Sequence, residues 1–139
     1  MKIITDSVEI STRGNTDIID ITQEITDLLD KADLTRGTVT VFVSGSTAGV
    51  TSIEYEPGLI KDIPEAFERI APAEMSYHHN ATWGDGNGHS HVRAALLGSS
   101  FIVPFHNGKL LLGTWQQIVV IDFDNRPRKR NVVVQMMGE

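Results

Sequence analysis

Between Tyr77 and His91 the chain reads Tyr77-His78-His79-Asn80-Ala81-Thr82-Trp83-Gly84-Asp85-Gly86-Asn87-Gly88-His89-Ser90-His91, and four of its five histidines fall there. The stretch offers little apolar area to bury. Its glycines permit tight or positive-φ backbone, so it reads as a loop that brings side chains together. Neutral imidazole is the commonest protein ligand for zinc and its neighbours. If His89-Ser90-His91 is extended, both imidazoles project from one face, about 7 Å apart. His78 and His79 then point to opposite faces, and at most one joins the same site. The expected ligands are His79, His89 and His91. The chain has no cysteine, so a bound metal is held by nitrogen and oxygen alone. Such ligands suit zinc first, and also nickel, cobalt, manganese or iron(II).

Other residues bear on this site. Glu54, at a strand end, reads as a metal ligand or general base, against the plainer reading of a solvated charge. Ser46 and Thr47 lie in a small hydroxyl-rich turn that can offer N–H and O–H donors to phosphate oxygens. Thr114-Trp115-Gln116-Gln117 is a polar cluster in an otherwise apolar region, and Trp115 reads as core before stacking platform. Arg126, Arg128, Lys129 and Arg130 read as a solvated turn able to attract an anion. His106, before Asn107-Gly108, reads as exposed. Gly84-Asp85-Gly86-Asn87-Gly88 has neither the spacing nor the βαβ setting of a dinucleotide fingerprint. A calcium loop starting at Asp85 would need glutamate at its twelfth position, where Leu96 stands.

The elements that position these residues follow from the hydrophobic periods. Lys2–Ser11 alternates like a half-buried strand. Ile18, Ile21, Ile25, Leu28, Leu29 and Ala32 recur at helical spacing and predict a helix from about Asp17 to Ala32. Thr38–Ser44 and Val50–Glu54 predict strands. Gly58–Ile70 predicts a second helix despite Pro64. Val92–Gly98 fits a short helix or a strand. Asn107-Gly108 between Phe101–Phe105 and Lys109–Leu112 signals a hairpin, with further strands at Ile118–Phe123 and Asn131–Met137. The expected fold is α+β: a largely antiparallel β-sandwich with two main helices.

A chain of 139 residues is expected to form a single domain, residues 1–139. The net charge of −6 argues against a nucleic-acid binder, which would show a basic face. No apolar run approaches the roughly 20 residues that span a bilayer, and the N-terminus lacks a signal-peptide pattern. A soluble cytoplasmic protein is the expectation.

Gly45-Ser46-Thr47-Ala48-Gly49-Val50, Tyr77-His78-His79-Asn80, His89 to Ser100 and Asn107 to Gln116 occur in an order that resembles the YjbQ-like family, also called the secondary thiamine-phosphate synthase enzyme family. The resemblance covers nearly the whole chain. The blocks Leu96-Leu97-Gly98-Ser99-Ser100 and Leu112-Gly113-Thr114-Trp115-Gln116 are specific to it. It implies a YjbQ-like fold, a homotrimer with sites near subunit contacts, and a metal on histidines. It places His79 and His91 at the family's histidine positions, Glu54 and Asn80 among their polar neighbours, and Thr47, Thr114 and Gln116 in the same pocket. Some members carry histidine where this chain has Gly45, and others lack one at position 89. The implied reaction joins a pyrimidine diphosphate to a thiazole phosphate and releases pyrophosphate. Such a site needs a cation for the leaving diphosphate and donors for the second phosphate. A histidine–carboxylate metal, with Mg as a further ion for a diphosphate substrate, joins Ser46, Thr47, Thr114 and Arg93 in that role. Trp83 or Trp115 would stack on the pyrimidine. The expected function is therefore a metal-dependent enzyme acting on a phosphorylated small molecule; a non-catalytic metal- or ligand-binding homotrimer is the alternative.

Overall fold

The structure, a computed structural model, describes all residues 1–139. Its elements in order are β1 (Lys2–Thr12), β2 (Asp17–Asp20), α1 (Thr22–Ala32), β3 (Arg36–Val43), β4 (Ala48–Ile53), α2 (Pro57–Ile70), α3 (His78–Trp83), α4 (Gly88–Leu97), β5 (Ser100–His106), β6 (Lys109–Leu110), β7 (Gln117–Asp122) and β8 (Arg128–Gly138). A five-stranded sheet has the order β1-β8-β3-β5-β6, and a three-stranded sheet the order β2-β7-β4. Every strand pair is antiparallel. The expected α+β, largely antiparallel architecture is the observed one.

Strict alternation sets the register of the larger sheet. Val39, Val41 and Val43 of β3 and Val132, Val134 and Met136 of β8 turn to one face and are buried. They meet Val50 of β4 and Ile118 and Val120 of β7 in one apolar cluster, to which α1 adds Ile25 and Leu29. Ile121 and Val119 of β7 point the opposite way, joining Ile18, Phe123 and Ala94 in a second cluster against Phe67 of α2 and Leu97 of α4. The strand β7 is thus buried on both faces, which explains its unbroken apolar run. This layering fixes α2 and α4 on the outer face of the smaller sheet.

Two sequence expectations are corrected. Asp17–Ala32 is not one helix: Asp17–Asp20 is the strand β2, with Ile18 opposite Ile121 and Ile19 opposite Val120. Pairing with a doubly buried strand outweighs helical spacing for these β-branched residues. The turn into α1 is closed by Asp20, whose carboxylate accepts the Thr22 N–H at 2.9 Å. The histidine-rich segment is also not a loop throughout. It forms α3 and α4 around a true turn at Gly84 and Gly86, both at positive φ, so two further helices join the two main ones, α1 and α2. Asn107-Gly108 does form the hairpin turn, with φ of 51° and 69°, the left-handed pair that such turns require. No helix is long and apolar enough to cross a membrane.

Candidate functional site

Successive residues on an α-helix are about 100° apart, so His89 and His91 lie about 200° apart on α4. The extended His-x-His geometry is therefore corrected, and the two imidazoles face opposite ways. His91 shares its face with Ala94, Ala95 and Gly98, and these line a hollow of about 450 Å³ with Gly45, Ser46, Ala48 and Ser99. The His79 ring, from α3, stands against His91 with centroids 4.2 Å apart and planes inclined at 47°. Asn80 holds the two helices in this relation by accepting the Gly88 N–H at 2.9 Å. Only glycine fits at 88, because a Cβ there would come within 2.5 Å of Tyr77 Cβ.

Beside His79 is a cluster of acceptors. The outward end of the buried Asn87 amide lies 3.1 Å from His79 Nε2, and 2.9 and 3.3 Å from the two Asp85 carboxylate oxygens. Asp85 Oδ1 is 3.6 Å from His79 Nε2. The inward end of the amide is 3.3 Å from Asp124 Oδ1. Turned one way, Asn87 donates to Asp124 and sets its oxygen against Asp85. Turned the other, it donates to Asp85. In the first orientation its oxygen can accept from a His79 Nε2–H, so these contacts can be met within the chain, and a cation among His79, Asp85 and Asn87 would be a further way to engage the same acceptors. No three His, Cys, Asp or Glu side chains already converge as a metal site. Were a divalent ion bound here, the residues placed to hold it would be His79 and Asp85 with the Asn87 oxygen, and His91 alongside.

His89 does not join this set. It is buried on the other face of α4, with Nδ1 lacking any hydrogen-bond partner. Arg93, one turn on, shares that face. Its Nε donates to the Ala71 carbonyl at 2.9 Å, Nη1 to Thr16 Oγ1 at 3.2 Å and Nη2 to Glu68 Oε2 at 2.5 Å. Arg93 thus clamps α4 to α2 and is directed away from the His91 hollow.

Burial, with the adjacent Arg93, lowers the His89 pKa; burial, with the adjacent His79, lowers that of His91. Both therefore bind fewer protons folded than unfolded, and stability is complete above the unfolded histidine value of about 6.5. It falls as pH drops from there through the depressed folded values. Although burial of Asp122 and Asp124 opposes it, hydrogen bonds from Arg130 and Thr12 to the first, and from the Asn125 N–H and Thr47 to the second, hold both carboxyls below their usual range. Their contribution is present above about 3.9 and is lost below it, down through the folded values. Urea midpoints measured against pH should therefore descend in two stages, beginning near these values; a flat profile between about pH 7 and 5 would contradict the histidine assignment.

The hydroxyl turn also differs from expectation. Ser46 is exposed beside the hollow, but the Thr47 hydroxyl is buried, donating to Asp124 Oδ2 at 2.9 Å and accepting from Arg130 Nη2 at 2.5 Å. Arg128 and Arg130 are not a solvated turn. Arg128 Nε donates to Asp124 Oδ2 at 2.9 Å, and Arg130 grips Asp122 through Nε at 2.7 Å and Nη2 at 3.0 Å. The period-2 register of β8, which turns positions 130, 132, 134 and 136 inward, was the signal available in the sequence. Charge alone hid it.

The remaining expected site residues gather elsewhere. Glu54 follows β4 at the end opposite Thr47, about 20 Å away along the strand. Gln116 reaches the same end, donating from Nε2 to Ser52 Oγ at 2.9 Å. Thr114 and Trp115 are exposed there, Trp115 at 69%, so Trp115 is not core. One chain thus carries two groups of candidate residues: His79, Asp85, Asn87, His91 and Ser46 at one end of the smaller sheet, and Glu54, Thr114, Trp115 and Gln116 at the other.

Comparison with known proteins agrees with this architecture. A UPF0047 protein of Methanothermobacter thermautotrophicus is 37% identical over 139 residues, covering 100% of this chain and 95% of its own. A UPF0047 protein of Archaeoglobus fulgidus is 38% identical, covering 92% and 97%. The crystal structure of a YbjQ-like protein of unknown function from Sulfolobus solfataricus P2 superposes with a TM-score of 0.94 at 32% identity, covering 99% of both chains. A hypothetical protein from Aeropyrum pernix K1 gives 0.91 at 31% identity, covering 98% and 99%. A family model described as "UPF0047 protein YjbQ-like" matches residues 6–139, and the chain belongs to that family.

Proposed function

We propose that this protein is a metal-dependent enzyme acting on a phosphorylated small molecule, with thiamine-phosphate synthase-type coupling among its activities. The observation that supports this reading is the grouping of His79, Asp85 and the Asn87 amide beside the His91 hollow. A zinc ion held there, or another divalent ion, would supply Lewis-acid neutralisation of phosphate charge; Mg could accompany a diphosphate substrate. His91, whose pKa is lowered by burial and by His79, would offer a ring nitrogen to a hydrogen-bond donor on the substrate. In the coupling reaction a C–N bond to the thiazole replaces the C–O bond to the departing diphosphate. Ser46 lines the hollow and would position the phosphate. The buried Thr47 hydroxyl, Asn80 and Arg93 act through the scaffold. A cytoplasmic setting, which the cysteine-free sequence accommodates, belongs to the same proposal.

The family resemblance implies a homotrimer, and in such an assembly Glu54, Thr114, Trp115 and Gln116 of one subunit would complete the His91 hollow of the next. Exposed Trp115 would then cover the substrate ring, and Glu54 would serve as metal ligand or base. The test mixes subunits. His91→Ala and Glu54→Gln proteins, each inactive alone in the coupling assay, should recover about a quarter of wild-type turnover after random reassembly. No recovery from a folded mixture would exclude the shared site. Metal-dependent assembly without turnover of any phosphate ester would favour the non-catalytic binding reading.

A further inference from the structure

Position 45 joins the His91 hollow to a buried cation. Gly45 lines the hollow, has φ of 139°, and a Cβ built on it would stand 2.6 Å from Arg130 Nη1. Apart from the guanidinium carbon at 3.6 Å, that Cβ would meet nothing else within 4 Å beyond its chain neighbours. Arg130 is fixed from the other side, with Nε and Nη2 committed to Asp122 and Thr47 and Nη2 3.7 Å from Asp124. Its Nη1 donates to no group in the chain, yet His89 Nδ1 is the one enclosed side-chain polar atom without a partner. Nη1 is therefore open to solvent. The turn above it is also unspent. The N–H groups of Gly45, Ser46 and Thr47 make no hydrogen bond within the chain, and Ser46 is exposed.

We infer that the Gly45–Thr47 turn and Arg130 Nη1 form an anion subsite that receives a phosphate group of the substrate, and that glycine at 45 opens the way to Arg130. This rests on reading the His91 hollow as the substrate site. Three amide donors, the Ser46 hydroxyl and two N–H bonds on Nη1 outnumber what a carboxylate can accept, and suit a tetrahedral oxyanion. Charge-assisted donors held rigid by their own buried partners bind such a group without further ordering. Asp122 and Asp124 are offset by Arg130 and Arg128, so the cluster carries no net charge to repel it. A side chain at 45 would be pressed against Nη1 and would take the place of the anion.

The test titrates inorganic phosphate into the ¹⁵N-labelled full-length protein, as purified and again after chelation, following the backbone amide resonances. Phosphate should shift the amides of 45–47 in both preparations. Gly45→Ala and Arg130→Lys, which keeps a charge for Asp122, should each weaken binding about tenfold or more. Phosphate binding that survives chelation and is weakened in Gly45→Ala is independent of the metal, so the subsite and the metal centre succeed or fail separately. Unmoved amides in the wild-type protein, or wild-type affinity in folded Gly45→Ala, would overturn the subsite.

Discussion

Arg130→Met should lower the free energy of unfolding by about 3–5 kcal/mol, the usual consequence of leaving one partner of a buried ion pair unmatched. Asp122 is fully buried and receives two hydrogen bonds from the Arg130 guanidinium, a third from the Thr12 hydroxyl and a fourth from the Asp124 N–H. Removing Arg130 strands a desolvated carboxylate and takes a donor from Thr47. The Asp122→Leu/Arg130→Met double variant should recover part of the loss, because an apolar pair removes both charges together. Recovery cannot be complete while Thr12 and the Asp124 N–H lose their acceptor. Urea unfolding of the single variants and the pair measures the coupling directly; a loss within about 1 kcal/mol for Arg130→Met would mean the network is solvated.

The second large effect separates two histidines only two residues apart. His89→Leu should leave metal and phosphate binding intact and raise stability by about 1–3 kcal/mol, since it removes an enclosed ring nitrogen with no partner. It should also remove part of the first descending stage of the pH profile. His91→Ala should do the reverse, with little change in stability for a half-buried side chain and a loss of about tenfold to a hundredfold in metal affinity, comparable to losing a neighbour that orients the ligands. If His89→Leu instead lost metal while folded, the helical separation of the two rings would not hold in solution.

The sandwich was legible because β3, β7 and β8 announce their burial through period and β-branching. The hairpin was legible because Asn107-Gly108 suits little else. The strand β2 was not, since Ile18 and Ile21 satisfy a helical period equally well and only the pairing of Ile18 with Ile121 decides between them. His79 and His91, singled out from the histidine run and by the family resemblance, lie ring to ring, but on helices and not on an extended backbone. Their contact depends on α3 and α4 closing around Gly88, a packing requirement that local composition does not reveal. His89 followed from the assumption of an extended backbone and fell with it. Asp85 was weighed only as the start of a calcium loop and Asn87 not at all, because nothing local shows that the turn carries both to the His79 ring. Arg130 was placed in a solvated turn because a run of cations at a strand start reads as surface until the inward register of β8 is applied to it.

The most direct test is elemental analysis of protein prepared without a histidine tag, beside His79→Ala, His91→Ala and His89→Leu. About one transition metal per chain is expected in the native protein and in His89→Leu, with the metal gone from His79→Ala and its occupancy lowered in His91→Ala in step with an affinity about tenfold to a hundredfold weaker. A native protein that holds no metal after incubation with zinc, or one whose metal departs only with His89, would contradict a centre at His79, Asp85 and Asn87.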